Sequence, residues 1–228
     1  MFDNALTEVS LNLLRDFKQE LTKFGFYLGG GSGLVLHFGH RVSESLDFYS
    51  DKKFDPELLC RYLETKTQYR ELLTSLGTLY CTLSKVKISF NYMPAPLLYP
   101  VIKFENIIVA DWKDILPEKF VTLSLRGGRE DFYDIYACYI LGDLKVREGL
   151  EILKRRFAGI DINFYNILKS LTYFDIGDKE PELILLKPIA WQTVKNFFLT
   201  DLNEFEKHLL IEEKEAKEEK KKSKIFSI

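Results

Sequence analysis

Between Gly29 and Gly33 the chain reads Gly-Gly-Gly-Ser-Gly, and the run is flanked by two apolar segments, Phe26-Tyr27-Leu28 and Leu34-Val35-Leu36. Near-consecutive positions without a Cβ can only form a tight, permissive turn. The flanks predict a short strand before it and a short buried helix, Leu34 to Phe38, after it. Backbone amides beside glycines can approach an anion closely, and the head of the following helix adds a favourable dipole. The uncharged stretch Phe24 to His40 contains six glycines. It falls short of the ~20 apolar residues of a membrane span.

The patterning on either side divides the chain. Val9, Leu13, Phe17 and Leu21 recur every four residues and predict a first helix, stopped at Gly25. Leu46 to Tyr49 reads as a strand. Asp55-Pro56 predicts a helix start and a helix through about Tyr69. Leu79 to Ser84 and Val86 to Tyr92 predict a strand pair, and Val101 to Phe104 with Ile107 to Val109 adds further strands. Beyond Asp111 the pattern turns helical. The expected helices run from Pro117 to Gly127, Arg129 to Leu141, Leu144 to Phe157, Phe164 to Tyr173 and Trp191 to Leu210, with Leu183 to Leu186 as the one candidate strand. This order predicts an α+β protein. The expected parts are an α/β domain over residues 1–111, a helical bundle over 112–211 and a charged tail over 212–228.

Composition narrows the partners. Lys plus Arg number 32 against 34 acidic residues, for a net charge of −2, which excludes a polycation that coats nucleic acid along its whole surface. It leaves room for a local basic cluster. The 18 Phe and 12 Tyr supply a sizeable core. Three scattered cysteines in no Cys-x-x-Cys pair argue against a disulfide framework or structural zinc, and the amino terminus lacks the pattern of a signal peptide. The expectation is a cytoplasmic protein with no membrane association.

Around the glycine turn, Ser32 could offer a hydroxyl to a phosphate, Asp47 on the next strand a ligand to a divalent cation, and Arg41 a pairing charge. Neither GxxxxGK[ST] nor GxGxxG is present. From these residues alone, a purely structural turn is an equal reading. Lys119 and Arg126 share a helix face, as do Asp131 and Asp134. They could border a nucleotide or form an inter-helix salt-bridge network. His37 in its apolar run reads as a hydrogen-bonded core residue, and Trp191 with Phe197-Phe198 as helix packing.

The stretch Phe26 to Ser50 resembles the signature of the nucleotidyltransferase superfamily, a Gly-Ser turn at a helix start followed by an Asp-x-Asp strand. More narrowly, it is similar to the AbiEii toxin family of bacterial abortive-infection and toxin–antitoxin systems. The matching residues are Gly30, Gly31, Ser32 and Leu34, then His40, Arg41 and Ser43, then Asp47, Phe48 and Tyr49. Lys119 to Tyr136 and Ser170 to Phe198 resemble two later blocks of that family, in the same order.

The resemblance implies a nucleotidyl transfer from an NTP, with Mg²⁺ or Mn²⁺, to an RNA acceptor such as a tRNA 3′ end or to a protein, and a cognate antitoxin as partner. It implies Asp47, Lys119 and Asp134 as catalytic residues, with Asp47 also the metal ligand. Gly30, Gly31, Ser32, Arg41, Ser45 and Arg126 would bind the nucleotide. For Lys119 and Asp134 the resemblance favours function; for Arg126 and Asp131 the salt-bridge reading leads. The chain departs from the superfamily at two acid positions, where Ser45 and Ser89 stand. A fold that binds nucleotide, RNA or protein without turnover is therefore the alternative.

Overall fold

The structure, a computed structural model, describes residues 1–17, 20–66 and 68–211. The charged tail, with its basic run Lys220 to Lys224, lies outside the described residues. The chain divides into two compact units, one of Met1–Glu118 with Glu182–Pro188, the other of Lys119–Pro181 with the chain from Ile189 onward.

The first unit is built on a mixed sheet. Its strands are β1 (Tyr27–Leu28), β2 (Ser45–Ser50), β3 (Tyr69–Ser75), β4 (Thr78–Leu83), β5 (Val86–Tyr92), β6 (Ile102–Phe104) and β7 (Ile107–Val109), and their spatial order is β3-β4-β5-β2-β1-β7-β6. β2 runs parallel to β5 and antiparallel to β1, while β1 runs parallel to β7. Alternation decides which side is buried. Leu46 and Phe48 of β2, Leu79, Cys81 and Leu83 of β4, and Ile88 and Phe90 of β5 all enter one core. Helices α1 (Glu8–Phe17) and α4 (Pro56–Glu64) supply Leu14, Phe17, Leu59 and Leu63 to that core. Phe17 meets Phe48 edge-on at 5.9 Å, and Phe48 stacks on Phe90 at 5.2 Å. The intervening residues face the other way and keep partial exposure.

Helix α2 (Glu20–Lys23) follows undescribed residues 18–19, and α3 (Gly30–Phe38) begins inside the glycine run. Asp55 caps α4 by accepting from the Glu57 amide at 2.9 Å, with Pro56 at the first helical position. That helix ends at Glu64 rather than near Tyr69, and Tyr69–Ser75 forms the edge strand β3. The segment Glu182–Pro188 returns to this unit as a strap. Val42 N–H donates to Ile184 O at 2.8 Å, Leu186 N–H donates to His40 O at 3.0 Å, and Arg41 and Leu185 form an antiparallel bridge. The expected strand at Leu183 to Leu186 is reduced to that bridge among the described residues.

Helix α5 (Trp112–Arg126) contains the division between the units. It starts five residues before Pro117, because Ile115, Leu116 and Phe120 are all buried and their packing outweighs the missing proline donor. The second unit adds α6 (Arg129–Ile140), α7 (Val146–Arg156), α8 (Phe164–Ser170), α9 (Trp191–Thr200) and α10 (Leu202–Glu206). The single helix expected over Trp191 to Leu210 is thus broken at Asp201. Phe132 of α6 sits among Phe174, Trp191 and Phe198 at centroid distances of 5.1, 5.6 and 5.2 Å. These aromatics are helix packing. No helix among the described residues is long and apolar enough to cross a membrane. The whole is an α+β protein, a mixed sheet with flanking helices followed by helices.

Candidate functional site

The glycine turn and β2 are locked together by one hydroxyl. Ser32 Oγ donates to Gly29 O at 3.0 Å and accepts from Asp47 N–H at 3.0 Å, and Ser32 is fully buried. Gly29 N–H in turn donates to Asp47 O at 2.8 Å. Gly30 opens α3 with φ +53°, and a Cβ built there would meet Asp47 Oδ2 at 2.7 Å. Only glycine fits, both for its backbone angle and for the carboxylate pressed against it. The Ser32 proton already goes to Gly29 O, so a phosphate would have to draw it away. Gly30 and Gly31 are buried as well.

Asp47 pairs in register with Ser89 on β5, and Ser89 Oγ donates to Asp47 Oδ1 at 2.8 Å. Asn91 Nδ2 donates to Ser89 Oγ at 3.0 Å. A serine hydroxyl thus stands beside Asp47 where the superfamily pattern leads one to expect an acid. Ser45 lies on the same face of β2, one register row away, opposite Lys87. Sequence reasoning missed a neighbour, Glu118. It is buried on α5, with Oε2 3.6 Å from where a Gly29 Cβ would stand. Burial, and then the charges of Asp47 and Glu118, push the Tyr49 hydroxyl well above its usual pKa. Glu118 stands just before Lys119, where the second segment resembling that family begins, and no motif marks it.

No group of three or more His, Cys, Asp or Glu among the described residues could hold a metal ion. The donor set still suits a hard cation of one kind. Mg²⁺ keeps waters and phosphate oxygens and needs only one or two protein carboxylates. Asp47, seated against a cradle that a Cβ would fill, fits that use.

In the second unit, Lys119 Nζ lies 2.7 Å from Asp134 Oδ2 and 3.1 Å from Asp131 Oδ1. Arg126 Nε reaches Asp131 Oδ2 at 2.6 Å, and Arg126 also pairs with Glu130. Lys119, Asp131 and Asp134 are buried. The three carboxylates of Asp131, Asp134 and Glu130 more than match the charge of the two cations. Arg41, 2% exposed, lies beneath the strap in the first unit and donates to Val42 O at 3.2 Å. The structure therefore groups Gly30, Gly31, Ser32, Asp47 and Ser45 around the turn, and Lys119, Arg126 and Asp134 in the buried cluster.

No protein-family model matches the chain. Over 184 residues it is 32% identical to the "Uncharacterized protein aq_aa25" of Aquifex aeolicus (strain VF5), covering 79% of this chain and 87% of that one. The chain belongs to the aq_aa25 family. Among solved structures, this aq_aa25-family fold is similar to JHP933 from Helicobacter pylori, with a TM-score of 0.50 at 17% identity over 94% of this chain and 99% of that one. It is also similar to an H. pylori protein described as a "putative nucleotidyltransferase", with a TM-score of 0.50 at 17% identity over 89% and 97%. At this identity the likenesses establish the fold.

Proposed function

We propose that this aq_aa25-family protein is a cytoplasmic nucleotidyltransferase that moves a nucleotidyl group from an NTP to a hydroxyl acceptor. The observation that carries the reading is the carboxylate of Asp47 seated against the Gly30 head of α3, in a fold shared with the H. pylori nucleotidyltransferase-type structure. Gly30 and Gly31 would present amides to the triphosphate, Ser32 would hold the turn to β2, and Asp47 would ligate the cation that the nucleotide brings. When bound, that cation would supply charge neutralisation at the phosphates. The acceptor oxygen attacks the α-phosphorus, the bond to the bridging oxygen breaks, and pyrophosphate leaves with the electron pair while the hydroxyl proton passes to water. Arg41 and Ser45 would support nucleotide binding; the resemblance assigns Lys119, Asp134 and Arg126 to the same chemistry, for which their ion pairs would have to exchange for phosphate. The resemblance to AbiEii toxins favours an RNA end or a protein as acceptor and an antitoxin as partner.

A second reading rests on Ser89, which replaces an acid beside Asp47 and leaves a poor site for two metals. On that reading the fold binds nucleotide without turnover. Incubation with α-labelled NTPs, Mg²⁺ or Mn²⁺, and total tRNA separates the two. Label transfer lost in Asp47→Asn and in Lys119→Met supports the enzyme. Transfer that persists in both removes the assigned site. NTP affinity without transfer to any acceptor establishes the binding module.

A further inference from the structure

Strands β4, β5 and β2 bury one face, β3 pairs along their edge, and the register fixes what the other face carries. One row across them reads Arg70, Thr82, Lys87 and Ser45. The next reads Leu73, Tyr80, Ser89 and Asp47. The pairing shifts between Glu71 and Leu73, and this irregularity brings Leu73, rather than Leu72, opposite Tyr80. Tyr80 is 40% exposed and Leu73 48% exposed, and both Arg70 and Lys87 are exposed. Asp47, at the end of its row, is the only carboxylate in the two rows. An aromatic ring on an open sheet, with an apolar neighbour and two cations one row away, is the arrangement that stacks a base and holds its backbone phosphates.

We propose that this face is the acceptor track of the nucleotidyl-transfer site, taking the single-stranded 3′ end of a nucleic acid. A base stacks on Tyr80 beside Leu73, Arg70 and Lys87 pair with adjacent phosphates, and the strand runs toward Ser89 and Asp47. The assignment of the strand as acceptor rests on the nucleotidyltransferase reading, whereas the binding face stands on the register and exposure alone. Charge favours this occupant, since Arg70 and Lys87 flank the strand of the ring one row away, while Asp47, the single carboxylate of the two rows, lies two strands from it.

The test measures the affinity of the full chain for a short fluorescein-labelled single-stranded RNA by anisotropy, at several salt concentrations, and NTP affinity separately. Tyr80→Ala is expected to weaken RNA binding about tenfold, and Tyr80→Phe to retain it. Arg70→Ala and Lys87→Ala are each expected to lower the salt slope by about 0.7. NTP affinity should stay unchanged in all of them. Unaltered RNA affinity and slope in these variants, with circular dichroism showing a native fold, overturn the track. So do equal affinity for a duplex of the same sequence and transfer of label to protein that alone depends on Tyr80. A wild-type chain that binds RNA through Tyr80 but binds no NTP keeps the face as an RNA site, and overturns both the transferase reading and the acceptor role.

Discussion

A methyl group added at Gly30 would stand 2.7 Å from Asp47 Oδ2, on a backbone whose φ of +53° already disfavours any L side chain. Gly30→Ala is expected to cost about 2–5 kcal/mol in urea unfolding, combining left-handed strain with overpacking, and to weaken NTP binding with it. Ser89 offers the opposite experiment. Ser89→Asp puts two carboxylates opposite each other, which should destabilise the metal-free protein by up to about 1 kcal/mol. Added Mg²⁺ should restore that loss, as read by thermal unfolding with and without chelator. His37 Nε2 lies 2.8 Å from Ala110 O, the core role that its apolar setting suggested. Burial holds its pKa below the usual 6.5, against the opposing pull of that hydrogen bond. The unfolded chain therefore takes up a proton first as pH falls, so this stability is full above about 6.5 and declines as pH drops toward the folded value. Urea unfolding across that range should show the decline, and His37→Gln should lack it.

Elements were legible where they imprint a stripe on the sequence. Helices α6, α7 and α8 have buried faces and lie within a few residues of their expected bounds, whereas the helix expected from Trp191 to Leu210 is broken at Asp201; β2, β4 and β5 alternate, as their sequence predicts. β3 left no such mark. It is an edge strand with most of its residues exposed on both faces, so Arg70, Leu72 and Leu73 need not alternate. The start of α5 was hidden for another reason, because Pro117 reads locally as a first position and only the burial of Ile115 and Leu116 overrides it. Within the site, Asp47 and Ser89 were legible as strand positions, but the buried approach of Glu118 depends on tertiary packing. Asp55 is a local device. Asp55→Ala removes the hydrogen bond to the Glu57 amide and should cost about 1 kcal/mol, measured as a lower urea midpoint with unchanged slope.

At the scale of the molecule, the first unit is discontinuous in sequence, because Glu182–Pro188 hydrogen-bonds to the link between α3 and β2. Leu186→Pro removes one of the two donors to His40 O, leaving Lys187 N–H at 3.2 Å, and should cost about 1 kcal/mol. Its signature would be faster hydrogen exchange at the Val42 amide, whose partner is Ile184 O, and no change there would show that the strap contributes nothing. The same strap sets an order of events during synthesis. At ~5–20 residues per second the ribosome takes several seconds to pass from Glu118 to Pro188. Throughout that interval the backbone on either side of Arg41 must wait for hydrogen-bond partners that have not yet been translated. The nascent sheet can pair early, but the link leading into the strand of Asp47 is finished only after most of the helical unit has been made.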